Sequence, residues 1–406
     1  YRLQAYDKSS TGMHWQLERG GSAHAADARG KVMEVAVAIG CDPLMLIASV
    51  TPLPEGMDEV AFAGYLRGRP TPMIRAKTIQ MDVPANAEFI LEGIVDPKEL
   101  RPEGPFGDHF GHYSHVAPFP VFRIRRVTHR KNPIYLAAVV GKPPQEDKFI
   151  GNAAQEMLGP MVKVIHPEIE DLWAYYETGF HGLLAVSVRE RYHKEGIKSA
   201  LGLLGIGQTS LTKVLVLVSE GVNVRSFREV LREIKNNFNS TEDFLLLPGM
   251  AYDTLDFTSF TFELGSKMIL DATRKETGSR QSSVDSSQHK EERIVSGIDP
   301  GTLQSGIVSY RYVEDTLLAV KVVNNSREII ENLLRHPLLQ NIKLMAAVSP
   351  DVDLNDDESL LWGIFTRFEP ARDVVFGHSE LRGSLPVYSG PMGIDATWKP
   401  GYPEPL

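Results

Sequence analysis

Apolar and polar side chains alternate in short runs over the first 160 residues, and this pattern predicts strands. The segments predicted as strands are LMLIASV (44–50), which should be buried, AEFILEGIV (87–95), VFRIRRVT (121–128) and PIYLAAVV (133–140). Residues 57–68 have helical spacing instead, with Val60, Ala63 and Leu66 on one face and an expected end at Gly68. Several strands with few helices predict a barrel-like β domain.

Beyond residue 160, apolar runs alternate with amphipathic helical segments. LLAVSV (183–188) and KVLVLVS (213–219) are predicted strands, and a helical stretch follows each of them. The second helix should begin at Ser226, because Ser226 and Glu229 have the three-residue spacing of a capping box. Its expected apolar face consists of Phe227, Val230, Leu231, Ile234 and Phe238. This alternation predicts a separate α/β unit.

The end of the chain resembles the part before it. Shifted by 130 positions, residues 213–243 match residues 343–373 at eight of 31 positions, which indicates an internal duplication. GSKMILDATRK (265–275) and SGPMGIDATWK (389–399) also share Met, Asp, Ala, Thr and Lys. A polar, serine-rich stretch separates the two copies and predicts a linker. The expected divisions are a β domain at 1–160, an α/β domain at 161–278, a linker at 279–297 and a degenerate α/β repeat at 298–406.

Composition narrows the class of protein. A hydrophobic share of 42% and a charged share of 23% are typical of a folded chain. The net charge of −9 argues against a nucleic-acid partner, which would require a basic surface. The single cysteine, Cys41, excludes a disulfide framework and favours a reducing compartment. Since no apolar run reaches 18 residues and no signal peptide is visible, we expect a cytoplasmic protein without a transmembrane segment.

The stretch EGPFGDHFGHYSH (103–115) concentrates the candidate chemistry. His109, His112 and His115 could gather around a metal ion together with Asp108, or could simply hydrogen-bond within a loop. Alternatively, the tight Gly-Pro turn could direct Glu103 and Asp108 into one poorly solvated cavity. One carboxyl group of such a pair would then hold its proton near neutral pH and serve as an acid. A purely structural turn is the third interpretation, and the residues alone leave all three open.

A family resemblance favours the second interpretation. The pattern E-G-P-[FY]-G-[DE] followed by H-x-G-x-Y resembles the signature of the UbiD family of decarboxylases, which use prenylated FMN. The resemblance extends in collinear order from residue 1 to about residue 275. The other segments that carry it are 1–21, 51–68, 83–93, 140–147 and 255–275. It implies an α/β (α+β) protein in which a split β-barrel flavin-binding domain precedes the α/β domain and its repeat.

The resemblance also implies an activity. Family members remove CO₂ without oxidation, and reversibly, from aromatic or unsaturated acids through a covalent prenylated-FMN adduct. The cofactor is needed because departing CO₂ leaves electron density that no protein side chain can accept. The long form of this chain suggests a hydroxyaryl or naphthoate-like acid, such as a quinone precursor. By analogy Arg2 and Glu103 would orient the substrate carboxylate, and Asp108 would protonate the carbon.

Further residues are assigned by the same resemblance. The residues expected to hold prenylated FMN are Tyr1, Arg2, His14, Trp15, Gln16, Arg19, Gly20 and Lys267. Glu59 aligns with a ligand of Mn²⁺, and K⁺ is a candidate companion ion. The family's asparagine ligand would precede Tyr1, and Glu18 stands where a histidine is frequent. The expected partners are a small aromatic acid, a flavin prenyltransferase that supplies the cofactor, and further copies of the chain in a homo-oligomer.

The second copy should be catalytically silent. It has Pro391 where the first has Lys267, and it lacks an E-G-P-x-G-D loop. Two other functions remain open at this point. A UbiD-like scaffold subunit of a carboxylase complex would need no buried trio of charged residues. A hydrolase that uses two carboxylates would bind no flavin.

Overall fold

The structure, a computed structural model, describes residues 4–12, 31–51, 53, 57–275 and 297–406. The chain forms two compact units. The first unit comprises Tyr1–Asp108, His112–Gly141 and Pro403–Leu406, and the second comprises His109–Gly111 and Lys142–Tyr402.

An antiparallel five-stranded sheet forms the centre of the first unit. The elements described in this unit are β1 (Ala5–Asp7), β2 (Ser10–Gly12), β3 (Met33–Ile39), α1 (Pro43–Val50), α2 (Glu59–Arg67), β4 (Met73–Arg75), β5 (Asp82–Pro84), β6 (Phe89–Glu103) and β7 (Ala117–His129). The sheet has the order β1-β2-β7-β6-β3, and β4 and β5 form a separate antiparallel pair. Val95 of β6 and Phe122 of β7 are fully buried, which places the core against the two long strands.

Two predicted strands of this unit are wrong. LMLIASV (44–50) forms α1, because Asp42 caps the N-terminus by accepting from Leu44 N at 3.1 Å, and Pro43 occupies the first turn. PIYLAAVV (133–140) forms no strand, because no strand in the described part of the chain pairs with it. The predicted strands in β6 and β7 are confirmed. The predicted helix is α2, which ends at the left-handed Gly68.

Two sheets with surrounding helices form the second unit. The elements described before residue 276 are α3 (Asp147–Ile165), β8 (Ile169–Ala174), β9 (Leu184–Val188), α4 (Glu195–Leu203), β10 (Val214–Ser219), α5 (Phe227–Asn237), α6 (Ser240–Asp243), β11 (Phe244–Ala251) and β12 (Leu264–Ala272). Those after residue 296 are α7 (Pro300–Leu303), β13 (Ile307–Val313), β14 (Leu317–Val322), α8 (Ser326–Arg335), β15 (Leu344–Val348), α9 (Asp357–Phe365), α10 (Pro370–Asp373), β16 (Val374–Arg382) and β17 (Leu385–Ala396). Short 3₁₀ turns occur at Tyr176–Thr178, Gly207–Leu211 and Pro337–Leu339. The mixed α/β fold class is thereby confirmed.

The two sheets of this unit have the same topology. Their strand orders are β8-β9-β10-β12-β11 and β13-β14-β15-β17-β16. In each sheet the three central strands are parallel and both outer strands are antiparallel to their neighbours. We call residues 169–272 the first repeat and residues 307–396 the second repeat. One connection differs between them, since β11 and β12 are joined by residues 252–263, whereas β16 and β17 are joined by residues 383–384.

The Asp-Ala-Thr sequence that the two repeats share forms the same turn in both. Asp271 accepts hydrogen bonds from the backbone N and the hydroxyl of Thr273 at 3.1 and 2.6 Å. Asp395 accepts the same two bonds from Thr397 at 3.2 and 2.6 Å. This is the Asp-Ala-Thr turn that follows a buried strand in each repeat. It supports the duplication, which stays a prediction.

The predicted start of α5 is confirmed, with one difference. Ser226 caps the helix by accepting from Glu229 N at 3.4 Å. The Glu229 carboxylate, however, accepts from Asn223 N at 3.1 Å rather than from the backbone of Ser226. The capping box is therefore closed three residues further upstream than the sequence pattern predicts.

Candidate active site

Glu103 and Asp108 lie at the two ends of one short loop in the first unit. Glu103 is the last residue of β6 and is 1% exposed, and Asp108 is 4% exposed. Ser114 holds the intervening loop from both sides: its hydroxyl accepts from Phe106 N at 3.0 Å, and its own N donates to Phe106 O at 2.7 Å. The structure therefore buries both carboxyl groups that the sequence selected.

Strand β2 lies beside the Glu103 end of this loop. Gly12 of β2 packs against the Glu103 carboxylate so closely that no Cβ would fit between them. Thr11, the preceding residue, is buried, and within the described part of the chain its hydroxyl has no hydrogen-bond partner. A buried hydroxyl of this kind is costly unless a polar group satisfies it. The Thr11 hydroxyl is therefore a polar atom that a bound ligand would satisfy, and binding of the cofactor stays a prediction.

The three histidines of the same stretch have different surroundings. His112 is buried in the first unit and forms an antiparallel bridge with Pro405, whereas His115 is exposed. His109 belongs to the second unit, where its ring lies 4.7 Å from that of Phe110. Among the described residues, no group of three or more His, Cys, Asp or Glu side chains could hold a metal ion. The described residues therefore do not support the metal interpretation of these histidines.

Glu59 occupies the first turn of α2 and is exposed. Its neighbour Asp58 caps the helix by accepting from Ala61 N at 2.8 Å. One exposed carboxylate does not by itself make a divalent-metal site, so the described residues alone do not form a site for Mn²⁺ or K⁺. Manganese coordination by Glu59 stays a prediction.

Lys267 is fully buried in the second unit, on β12. Its Nζ donates to Thr212 O at 2.8 Å and lies 5.6 Å from the centre of the Tyr252 ring. Burial lowers the pKa of Lys267 to about 7; the negative charge of Asp256 opposes this and the positive charge of Lys213 adds to it. Contact between Lys267 and a cofactor stays a prediction.

Sequence reasoning missed the charged groups near Lys267. Lys213 is buried and pairs with Asp256 at 2.9 Å. His181 Nδ1 lies 2.6 Å from Asp253 Oδ2. Although burial raises the pKa of Asp253, the hydrogen bond from His181 and the charges of His181 and His109 hold it well below its usual range. The only sequence signal was that Lys213 begins the apolar run KVLVLVS, and this signal did not identify Asp256 as its partner.

The remaining candidate residues lie outside the described residues. They are Tyr1, Arg2, His14, Trp15, Gln16, Arg19 and Gly20, together with Glu18 and most of the predicted linker.

Family models match most of the chain. Residues 1–143 match the 3-octaprenyl-4-hydroxybenzoate carboxy-lyase Rift-related domain, and residues 148–272 match the C-terminal domain of the same enzymes. The chain therefore contains both domains that are typical of this class of carboxy-lyases, the Rift-related domain and the C-terminal domain. The chain belongs to the UbiD family, which confirms the resemblance seen in the sequence.

Individual relatives agree with this assignment. A protein of Chlamydia pneumoniae, described as one of the subunits of 4-hydroxybenzoate decarboxylase, is 35% identical over 411 residues, covering 100% of this chain and 67% of the relative. An uncharacterised protein of Archaeoglobus fulgidus is 44% identical over 278 residues, which are 68% of this chain and 58% of that protein. The chain thus spans about 56% to 68% of the length of the curated relatives it matches.

Solved structures of the same class share the fold. Vanillic acid decarboxylase of Sedimentibacter hydroxybenzoicus, in its closed form, matches with a TM-score of 0.64 and 25% identity over 70% of this chain and 60% of that one. The UbiD-class enzyme HmfF of Pelotomaculum thermopropionicum, solved with FMN, matches with a TM-score of 0.58 and 25% identity over 70% and 63%. In the described part of this chain, no helix is long and apolar enough to cross a membrane.

Proposed function

We propose that this chain is part of a prenylated-FMN-dependent decarboxylase that acts on an aromatic acid. The observation that carries the proposal is the burial of Glu103 and Asp108 at the two ends of one loop in a UbiD-type domain. The vanillic acid decarboxylase and the FMN complex of HmfF, which share the fold, support an aromatic acid and a flavin. A hydroxyaryl or naphthoate-like quinone precursor is the proposed substrate class.

The chain's own residues would bind the substrate, orient its carboxylate and protonate the product carbon. When bound, prenylated FMN supplies the electron sink that decarboxylation requires. Arg2 pairs with the substrate carboxylate, and Glu103 keeps that pair oriented. Asp108 in its protonated form delivers a proton to the carbon that has lost CO₂. Because both carboxyl groups are shielded from bulk water, Asp108 delivers its proton to the substrate carbon within the site, and it takes a new proton from solvent between turnovers.

Further residues are proposed to hold the cofactor. Tyr1, His14, Trp15, Gln16, Arg19 and Gly20 are proposed to hold the flavin, and Lys267 its phosphate. A flavin prenyltransferase is the proposed source of the cofactor, and a homo-oligomer the proposed assembly. The second repeat has Pro391 in place of Lys267, so we assign it no chemistry of its own.

Replacing the proposed proton donor tests the proposal. Asp108→Asn in the full-length protein, co-expressed with a flavin prenyltransferase, should retain the flavin and lose turnover by about 10²- to 10⁴-fold. CO₂ release and incorporation of solvent deuterium into the product are the measurements. Asp82→Asn, at an exposed residue paired with Arg75, is the matched control and should keep full activity. Undiminished deuterium incorporation in Asp108→Asn would remove Asp108 from the donor role, and active protein without flavin would contradict the reaction itself.

A further inference from the structure

We propose that the β1–β2 hairpin is a positioning device for Glu103 and that Gly12 is its central residue. This inference rests on the proposed function only in giving Glu103 a catalytic task. The contacts themselves belong to the first unit and are visible without any ligand.

The absence of a side chain at position 12 is what lets the Glu103 carboxylate occupy its place. A Cβ added to Gly12 would lie 2.9 Å from Glu103 Cδ, closer still to Oε2, and 3.1 Å from the Tyr6 hydroxyl. The backbone of Gly12 lies in an ordinary strand and is not among the positive-φ glycines. Glycine is therefore required here for space and not for backbone conformation.

The same hairpin holds the backbone on both sides of Glu103. Gln4 contributes two bonds: its side-chain oxygen accepts from Gly104 N at 2.8 Å, and its backbone oxygen accepts from Gly12 N at 2.8 Å. Tyr6 donates from its hydroxyl to Pro102 O at 3.0 Å. The residues before and after Glu103 are thus both tied to the hairpin, so the position of the carboxylate depends on it.

Tyr6 reports on the Glu103 charge. Burial raises the pKa of the Tyr6 phenol, the negative charge of Glu103 raises it further, and Arg101 lowers it. Moving the carboxylate away from Tyr6 therefore lowers the pKa of this phenol. Titration of Tyr6 follows the position of the carboxylate independently of turnover.

Gly12→Ala in the full-length protein is the primary test. The group that must move is the end of a flexible side chain, although a buried one, so we expect the protein to fold with a modestly lower melting temperature. We also expect a lower pKa for Tyr6, measured by ¹⁹F NMR of fluorotyrosine-labelled protein with Tyr6→Phe for assignment. In the loaded enzyme kcat should fall about 10²-fold with little change in KM, as misplacement of a catalytic group by about 1 Å does. Gly159→Ala, whose added Cβ would meet nothing within 4 Å, is the control and should leave the pKa of Tyr6, kcat and KM unchanged; because Gly159 lies inside α3, its melting temperature should not fall.

A second background separates positioning from general disturbance. In Glu103→Gln protein the charge is gone, so adding Gly12→Ala should not lower the pKa of Tyr6; the added methyl group, 3.1 Å from the hydroxyl, can only raise it through burial. An equal shift in both backgrounds, or no shift in either, would overturn the inference. If the unmodified protein loads flavin but releases no CO₂ from any aryl acid, the proposed function fails, whereas the Tyr6 titrations still decide the role of the hairpin.

Discussion

Two lysines that lie side by side in the second unit have very different surroundings. Lys213 immediately precedes β10 and is neutralised by Asp256, whereas Lys267 on the neighbouring β12 donates to a carbonyl oxygen. Burying an ammonium group without a carboxylate disfavours its charged form. Lys267 is thus close to losing its proton at neutral pH, while its neighbour keeps a counter-ion.

This difference predicts a pH dependence of stability. The pKa of Lys267 is about 7 in the folded chain and about 10.4 for an ordinary lysine, so between these values the unfolded chain binds more protons. The free energy of unfolding should rise by at most about 1.4 kcal/mol per pH unit from pH 7 to pH 10, and this contribution is lost as the pH falls through 7. Guanidinium denaturation at pH 7.5, 8.5 and 9.5 measures it. Lys267→Met should flatten the profile and Lys131→Met, at an exposed position, should not. Parallel profiles for the original protein and Lys267→Met would contradict the prediction.

Helices α4 and α8 begin in the same unusual way in the two repeats. Each follows a residue in the left-handed region, Lys194 with φ of 64° and Asn325 with φ of 56°. Asparagine tolerates this region, whereas lysine does so only at a cost. In the first repeat the cost is offset because Lys194 Nζ bridges the buried carboxylates of Asp243 and Asp271 at 2.6 and 2.7 Å.

Exchanging the two N-cap residues should separate strain from charge. Lys194→Asn removes a strain of about 1–2 kcal/mol but also one of two cations near a pair of buried carboxylates, a loss of about 3–5 kcal/mol. We therefore expect a net destabilisation of about 1–4 kcal/mol by chemical denaturation. Asn325→Lys should cost about 1 kcal/mol from the backbone alone. If Lys194→Asn proved as stable as the original chain, the bridge would have no structural role.

The two repeats contact each other through equivalent positions. Lys343 Nζ donates to Phe238 O at 2.9 Å, while Lys213 Nζ lies 5.2 Å from the centre of the Phe368 ring. These two contacts are related by the 130-residue shift, since 213 becomes 343 and 238 becomes 368. Such reciprocity is typical of a two-fold arrangement, in which residue i meets j and j meets i.

A second pair of contacts links corresponding elements of the two repeats. Ser240 donates to Gly390 O at 3.0 Å, and Ser266 accepts from Ala371 N at 2.7 Å. Helix α6 thus packs on β17 as α10 packs on β12. One apolar core contains residues of both repeats, among them Val216 and Ile364. The second unit is therefore built as a pair of similar halves that share their interior.

A shared interior predicts shared unfolding. Ile364→Ala in the common core should cost about 2–5 kcal/mol and should reduce hydrogen-exchange protection in β10 as well as in β15. Ile330→Ala is the matched control, because Ile330 is buried in a core that contains only residues of the second repeat and its flanks. We expect the control to affect β10 less than Ile364→Ala does. Loss of protection confined to the second repeat in both variants would show that the halves unfold independently.

Local signals explain what the sequence could predict. Gly68 and Ser226 mark helix ends through their own backbone and side-chain chemistry, so both ends were found. LMLIASV was misassigned because its apolar run outweighed the Asp42-Pro43 start signal directly before it. The Gly-Pro turn also drew attention to Glu103 and Asp108 before their burial was known.

Distant partners explain what the sequence could not predict. Lys213 meets Asp256 across 43 residues, and His181 meets Asp253 across 72 residues. Neither pair has a periodic or motif signal, because only the strand order brings the partners together. The contact of Gly12 with Glu103 is of the same kind, since strand pairing through β7 decides it.

The last two strands are joined by a long connection in the first repeat and by a tight turn in the second, so the two repeats can be compared within one chain. Residues 252–263 supply Asp253 and Asp256, the acidic partners of His181 and Lys213, whereas the tight turn at 383–384 supplies neither, and Lys343 binds a carbonyl oxygen instead. What the halves have in common, such as the Asp-Ala-Thr turn, is what this architecture needs to fold. Among the described residues, the buried ion pairs made by Asp253 and Asp256 occur only in the first repeat, so they are the features to test for a specialised role. Transplanting 252–263 between β16 and β17 would test whether the second repeat can take up the same acidic partners.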